Sequence, residues 1–158
     1  MGKIVIVGSG PAGCSAALYA ARAGQEVVVI SMGMGALSKA ELIQNYYGFE
    51  EGITGAELYR QGVAGAKAVG AEFITAEVVG LDYTGSLVVQ TTEGDYPADS
   101  VILATGAGRI APKIAGLAEH EGRGVSYCAT CDAFFYRGKT AAVLGSGEYA
   151  LHLSLIHI

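Results

Sequence analysis

Residues 3–24, KIVIVGSGPAGCSAALYAARAG, combine an apolar run, a glycine-rich turn and a stretch of small side chains. Residues 4–7 are continuously apolar and β-branched, as expected for a strand that is buried on both faces of a parallel sheet. The turn spans residues 8–13, and residues 14–23 predict a helix that Gly24 ends. A second apolar run, residues 27–30, predicts the next strand. This order of strand, turn, helix and strand predicts an α/β fold of the Rossmann-like type.

The glycine turn has the pattern G-x-G-x-x-G, which is typical of a loop that binds phosphate. The first glycine of this pattern allows the tight turn, the second lets the backbone approach a pyrophosphate, and the third lets the helix pack on the strand. The helix N-terminus adds unpaired N–H groups and the positive end of the helix dipole. A purely structural turn is the alternative. We predict a dinucleotide pyrophosphate site formed by Gly8, Ser9, Gly10, Pro11, Ala12 and Gly13.

The residue after the second predicted strand is Ser31. The dinucleotide fingerprint has an acidic residue at this position, which holds ribose hydroxyls. A serine can still bond a hydroxyl group, but it gives no charge-assisted contact. The predicted ligand class therefore remains a dinucleotide, with Ser31 as a candidate ribose contact.

The composition excludes several classes of protein. The chain has 158 residues, of which 51% are hydrophobic and 16% charged, and its net charge is −5. Such a chain can bury a core, and its sequence has no cluster of basic residues that would bind nucleic acid or an anionic membrane. The first apolar run is too short for a signal peptide or a membrane span. We expect a cytoplasmic globular protein without a nucleic-acid or membrane partner.

The middle of the chain predicts a helix and three strands. Thr54 and Glu57 form a capping-box pattern ahead of a helix that reaches about Val69. Turns at residues 84–85 and 93–94 separate three predicted strands, which indicates a β-meander inserted between the parallel elements. A looser stretch, residues 107–124, is interpreted as the crossing between two domains. The three predicted strands are residues 76–83, 87–91 and 96–104.

A second cycle begins near the end of the chain. Residues 140–144 predict a buried strand, and residues 145–150, GSGEYA, repeat the nucleotide turn as G-x-G-x-x-A. Gly145, Gly147 and Ala150 are therefore candidates for a second dinucleotide site, with a structural or degenerate turn as the alternative. Residues 151–158 alternate apolar and polar side chains where a helix is required. This conflict indicates a truncated chain with a non-native tail at residues 153–158.

Cys128 and Cys131 are separated by two residues and are followed directly by Asp132. Two cysteines at this spacing at a helix start can reach disulfide geometry, and the helix N-terminus favours the thiolate. Asp132 could donate or accept the proton that thiol–disulfide exchange requires. Half of a zinc site is the alternative. Zinc needs about four ligands, and the other cysteine, Cys14, lies in the first helix, where we expect it to pack. We predict no metal site.

Taken together, these motifs resemble the low-molecular-weight thioredoxin reductase family. The resemblance extends from Lys3 to about His152, and its most specific part is GVSYCATCD, residues 124–132. The segment ATG, residues 104–106, and the two nucleotide turns also contribute. Residues 44–49, QNYYGF, and 53–58, ITGAEL, are similar to segments of the flavin domain in that family.

The resemblance implies a homodimeric flavoenzyme that passes electrons from NADPH to FAD, then to a redox-active disulfide, and finally to a thioredoxin-like protein. Cys131 would be the sulfur next to the flavin, Cys128 would attack the partner, and Asp132 would be the acid or base. Residues 1–113 would belong to the FAD-binding domain and residues 114–152 to the start of an NAD(P)-binding domain. The flavin site would also include Asn45, Thr105 and Gly106, and the nicotinamide cofactor would face Gly145, Gly147 and Ala150.

Three departures from the family pattern leave alternatives open. Ser31 replaces the usual acid, and residues 33–38, GMGALS, replace a Gly-Gly-Gln segment that touches the flavin, so that Gly35 becomes a candidate contact. Everything after the second turn is missing, and we expect the 158-residue chain itself to be inactive. Some divergent relatives take electrons from ferredoxin, and another disulfide acceptor is possible. A non-catalytic nucleotide-binding redox sensor is the alternative from a different class.

Overall fold

The computed structural model describes residues 2–83, 85–108 and 111–156 of the chain. They form two compact units, Met1–Gly108 and Arg109–Ile158. The first unit contains a four-stranded sheet and a three-stranded sheet. Its strands are β1 (Lys3–Val7), β2 (Glu26–Ser31), β3 (Glu72–Thr75), β4 (Val78–Tyr83), β5 (Leu87–Thr91), β6 (Gly94–Ala98) and β7 (Ser100–Leu103), and its α-helices are α1 (Pro11–Arg22) and α2 (Gly55–Ala68).

The larger sheet is parallel, with the order β3-β2-β1-β7. Strands β4, β5 and β6 form an antiparallel meander. The predicted α/β fold, with its parallel sheet and inserted meander, is therefore confirmed.

The parallel sheet lies between two apolar clusters because successive side chains of a strand point to opposite faces. Val5 and Val7 of β1 pack with Val89 of the meander, in a cluster that also includes residues of β2. Ile6, between them, belongs to the second cluster together with Ala17 of α1 and other residues of β2 and α2. The first unit thus has three layers, in which the meander and the two helices cover opposite faces of the sheet.

The predicted helices of this unit are confirmed with small changes in their ends. Helix α1 begins at Pro11 rather than residue 14, because proline is well suited to the first helical position. Helix α2 is capped by Thr54, whose side chain accepts a hydrogen bond from the Glu57 N–H at 3.2 Å. The capping box is only half formed, since the Glu57 carboxylate binds Arg60 and Gln61.

The strand predictions need three corrections in the first unit. Strand β3 was not predicted, and β4 begins at Val78 rather than residue 76. The single strand predicted for residues 96–104 begins at Gly94 instead and is divided at Asp99. There the Asp99 carboxylate accepts a hydrogen bond from the Lys3 N–H at 2.7 Å, and the Asp99 N–H donates to the Lys3 carbonyl at 2.9 Å. These bonds hold the chain where it passes from the antiparallel meander, as β6, to the parallel sheet, as β7.

The second unit contains helices α3 (Ala129–Asp132) and α4 (Glu148–Ile156) and two 3-10 segments, Ala118–His120 and Ala133–Tyr136. The strand predicted at residues 140–144 is wrong, because this segment is exposed and irregular. A parallel strand needs neighbouring strands for its amide groups, and the described part of this unit contains none. Helix α4 follows the second glycine turn as predicted and runs through residues that have strand periodicity; His157 and Ile158 lie outside the described residues.

Helices long and apolar enough to cross a membrane are absent from residues 2–83, 85–108 and 111–156.

Candidate functional site

The carboxyl ends of β1, β2 and β7 meet at one edge of the parallel sheet. Strand β1 pairs with β2 on one side and with β7 on the other, so the strand order reverses at β1. In open α/β sheets such a switch point is where ligands bind. The glycine turn follows β1, Ser31 ends β2, and Thr105 and Gly106 follow β7. The structure therefore brings three groups of predicted residues to the same edge.

The glycines of the first turn have different roles. Gly8 has a φ of +108°, and a Cβ atom there would collide with the carbonyl of Ala104. A Cβ atom on Gly13 would collide with the carbonyl oxygen of Gly8. Gly8 and Gly13 are thus required by the packing of the turn. A Cβ atom on Gly10 would meet nothing within 4 Å, so the space beside Gly10 is open.

The N-terminus of α1 is suited to an anionic group. Gly10 is the N-cap and provides no side-chain cap, Pro11 follows it, and the first turn of this twelve-residue helix has no acidic residue. The first N–H groups of a helix have no partner within the helix, and the helix dipole favours negative charge beside them. With the open space at Gly10, this end of α1 fits the pyrophosphate of a dinucleotide such as FAD.

Ser31 lies in a cluster of hydroxyl groups. Its Oγ is 2.7 Å from the Oγ of Ser9, which is 2% exposed. The Ser9 Oγ also lies 3.2 Å from the Tyr59 hydroxyl and 3.3 Å from the carbonyl oxygen of Gly33, to which it donates. Tyr59 was not a candidate in the sequence because it lies in α2, outside every motif.

A cavity of about 140 Å³ lies between α1 and α2, next to the glycine turn. Cys14 lines it, and its thiol donates to the Ser9 carbonyl at 3.1 Å. Cys14 is buried, as its predicted packing role requires, and burial raises the pKa of its thiol. This cysteine is therefore poorly suited to act as a nucleophile.

The other predicted flavin contacts lie in exposed parts of the first unit. Gly35 has a φ of +55° and begins the 3-10 segment Gly35–Lys39. Asn45 is exposed in a bend between Ile43 and Ile53, which form an isolated antiparallel bridge. Thr105 and Gly106 are also exposed.

Cys128 and Cys131 form a disulfide in the second unit, with their Cα atoms 5.2 Å apart. Cys128 is the N-cap of α3, and its Sγ accepts a hydrogen bond from the Cys131 N–H at 3.2 Å. Cys128 is half-buried and Cys131 is exposed. An N–H group that already points at the Cys128 sulfur would stabilise negative charge on it after reduction.

Ser126 connects Asp132 to the disulfide. Its hydroxyl donates to Oδ2 of Asp132 at 2.5 Å and accepts a hydrogen bond from the Cys128 N–H at 3.0 Å. The sequence motif includes Ser126 but did not indicate this role. The pair of contacts holds the half-buried Asp132 carboxylate on the same short segment as the two sulfurs.

The second glycine turn is also formed. Helix α4 starts at Glu148, and a Cβ atom on Gly145 would lie 2.7 Å from the Cβ of Ala150. Gly145 thus allows the first turn of the helix to approach the loop, while Gly147 has open space around it. Among the residues that the structure describes, no group of three or more His, Cys, Asp or Glu side chains is placed to hold a metal ion.

Comparison with known proteins gives a consistent result. The family model described as pyridine nucleotide-disulphide oxidoreductase matches residues 2–157. The bifunctional thioredoxin reductase/thioredoxin of Mycobacterium leprae is 44% identical over 158 residues, which cover 97% of this chain and 34% of that protein. The thioredoxin reductase of Aquifex aeolicus is 39% identical, with 94% of this chain and 47% of the relative covered.

Solved structures agree. The thioredoxin reductase of Streptococcus pyogenes matches with a TM-score of 0.86 and 36% identity, covering 98% of this chain and 51% of that one. The atypical thioredoxin reductase TRi of Desulfovibrio vulgaris Hildenborough matches with a TM-score of 0.64 and 42% identity, covering 99% and 53%. The chain thus spans about a third to half of the length of these relatives. With a family match over nearly its full length, the chain belongs to the pyridine nucleotide-disulphide oxidoreductase family.

Proposed function

We propose that this chain carries the flavin-binding and redox-active parts of a thioredoxin reductase, in which electrons pass from NADPH through FAD and the Cys128–Cys131 disulfide to a thioredoxin-like protein. The observation that carries the proposal is the disulfide itself, formed at the start of α3 with Asp132 held beside it. The names of the relatives support the same activity.

The first glycine turn supports FAD as the bound dinucleotide. Backbone N–H groups at the start of α1 would hold the pyrophosphate, with Gly10 leaving room for it. FAD, when bound, supplies a two-electron carrier between a nicotinamide and a disulfide. Ser31, Gly35, Asn45, Thr105 and Gly106 are the further contacts that we propose for FAD. Gly145, Gly147 and Ala150 are those that we propose for NADPH.

The environments of the two cysteines differ, and this difference supports separate roles for them. Reduction of the disulfide consumes two electrons and two protons and leaves two thiols. The Cys131 N–H then favours the thiolate of Cys128. This thiolate attacks one sulfur of the partner's disulfide, forms a mixed disulfide, and releases the partner's other sulfur as a thiolate.

Cys131 completes the exchange. Its sulfur attacks that of Cys128, which re-forms the Cys128–Cys131 disulfide and releases the second partner sulfur. Asp132, held by Ser126, is placed on the same segment to take the proton of Cys131 and to give a proton to the departing sulfur. The partner leaves as a dithiol, so the two electrons are accounted for.

We also propose the wider organisation that the family resemblance implies. Residues 1–113 would form the N-terminal part of an FAD-binding domain, and residues 114–152 the start of an NAD(P)-binding domain. The complete protein would be a homodimer in the cytoplasm.

The test is turnover of the complete protein with NADPH and thioredoxin. We expect a yellow protein whose thioredoxin reduction falls to background in Cys128→Ser and in Cys131→Ser. Cys14→Ser is the matched control, because its hydroxyl can keep the hydrogen bond to the Ser9 carbonyl; it should retain activity. A colourless protein, or unchanged turnover in both disulfide variants, would contradict the proposal.

A further inference from the structure

The hydroxyl cluster at the end of β2 is centred on the Oγ of Ser9. Ser9 has one proton and two lone pairs, and three groups lie within hydrogen-bond distance of its Oγ. The Gly33 carbonyl can only accept, so the Ser9 proton goes to it. All three contacts are hydrogen bonds at once when Ser31 and Tyr59 each donate their own proton to Ser9.

The two outer hydroxyl groups are therefore left as acceptors. Because the protons of Ser31 and Tyr59 are both directed to Ser9, only lone pairs remain on their oxygens. Both residues are half-buried, whereas Ser9 between them is buried and has its capacity filled. The end of β2 thus presents two neutral acceptor oxygens that flank one buried serine.

Two acceptors at this position suit the neighbouring hydroxyls of a ribose. The dinucleotide fingerprint uses an acidic side chain here, whose oxygens accept hydrogen bonds from ribose hydroxyls. We propose that Ser31 and Tyr59 together replace that carboxylate and accept hydrogen bonds from the 2′- and 3′-hydroxyls of the adenosine ribose. This inference rests on the proposed function, since it takes FAD as the ligand.

The position of Tyr59 is fixed by the start of α2. Thr54 caps this helix, and the Gly55 N–H donates to the Ala40 carbonyl at 2.8 Å. A Cβ atom on Gly55 would collide with the carbonyl of Leu37, so the helix start lies directly against the 3-10 segment. Tyr59 therefore approaches Ser9 from a rigid element, as a positioned ligand contact requires.

The experiment compares two ligands on the complete protein after its FAD has been removed. Affinities are measured for FAD and for an FAD analogue whose adenosine ribose lacks both the 2′- and 3′-hydroxyls. Tyr59→Phe and Ser31→Ala should each weaken FAD binding roughly three- to tenfold, the effect of about one lost hydrogen bond. Neither variant should change the affinity for the analogue. Tyr83→Phe, at an exposed tyrosine of the meander, is the matched control and should bind both ligands normally.

The outcomes separate this inference from the proposed function. If the variants weaken the binding of both ligands equally, or if neither variant changes the affinity for FAD, the ribose contact is wrong while FAD binding stands. The ribose contact is also wrong if Tyr83→Phe weakens FAD binding as much as Tyr59→Phe does. If the unsubstituted complete protein binds no FAD at all, the proposed function fails and the inference fails with it.

Discussion

Gly10 and Gly13 belong to the same motif, but the structure gives them opposite consequences on substitution. Gly13→Ala should lower the free energy of unfolding by at least about 2 kcal/mol, because the new methyl group meets the Gly8 carbonyl. Gly10→Ala should cost no more than about 1 kcal/mol, the scale of an N-cap change. It should nevertheless weaken FAD binding at least about tenfold, since the methyl group fills the space open to the pyrophosphate.

Denaturant unfolding and FAD titration of both variants check this contrast. Comparable losses of stability in the two variants would show that the open space at Gly10 has no special role. Normal FAD affinity in Gly10→Ala would contradict the assignment of the turn as the pyrophosphate site.

The residues of the site were predictable where the chemistry lies within a short motif. The glycine turn and the Cys128–Cys131 pair follow from local spacing, because their function depends on neighbours in sequence. Tyr59 could not be found this way, since it reaches Ser9 only through the packing of α2 against the start of α1. Ser126 lies within the motif, but its contact with Asp132 requires the actual turn geometry.

Individual strands show the limit of periodicity as a guide. Strand β3 has only four residues and lies at the edge of the sheet, so it carries too few buried positions to give a pattern. The change of sheet at Asp99 could not be predicted from periodicity within residues 96–104, because it depends on hydrogen bonds to Lys3, far away in sequence. Residues 140–144 are apolar enough for a strand, but apolar character alone does not provide a neighbouring strand to which the segment could hydrogen-bond.

The stability that Glu57 gives to helix α2 should depend measurably on pH. Hydrogen bonds from Arg60 and Gln61 lower the pKa of the exposed Glu57 carboxyl to about 2. The folded state therefore binds this proton less tightly than the unfolded state, where the pKa is 4.5. The stabilisation is complete above the unfolded value and is lost as the pH falls toward 2.

Glu57→Gln should accordingly flatten the loss of stability between pH 6 and 3, measured by thermal unfolding at intervals across that range. Arg60→Gln should flatten it in the same way, because it removes the first cause of the lowered pKa. Added salt should reduce the effect, since the ion pair is exposed to solvent. An unchanged pH profile in Glu57→Gln would show that the carboxylate contributes nothing to acid resistance.

The two units differ greatly in their buried core, and this difference predicts how the chain is digested. Every buried apolar residue of the described chain lies at or before Ala98, whereas the second unit has none. Residues 104–108 and 111–114 form no helix or strand, and most of them are exposed. Proteases cut where the backbone is exposed or opens locally at little cost.

Limited digestion with a protease of broad specificity should therefore leave a resistant fragment that contains β1 to β7 and ends shortly after Leu103. The second unit should be degraded first, because local opening of its short helices exposes little apolar surface. Mass spectrometry of a time course identifies the cut sites, and circular dichroism tests whether the fragment keeps its sheet. Early cleavage within β2 or α2, or survival of the second unit as long as the first, would show that the buried core does not govern stability in this chain.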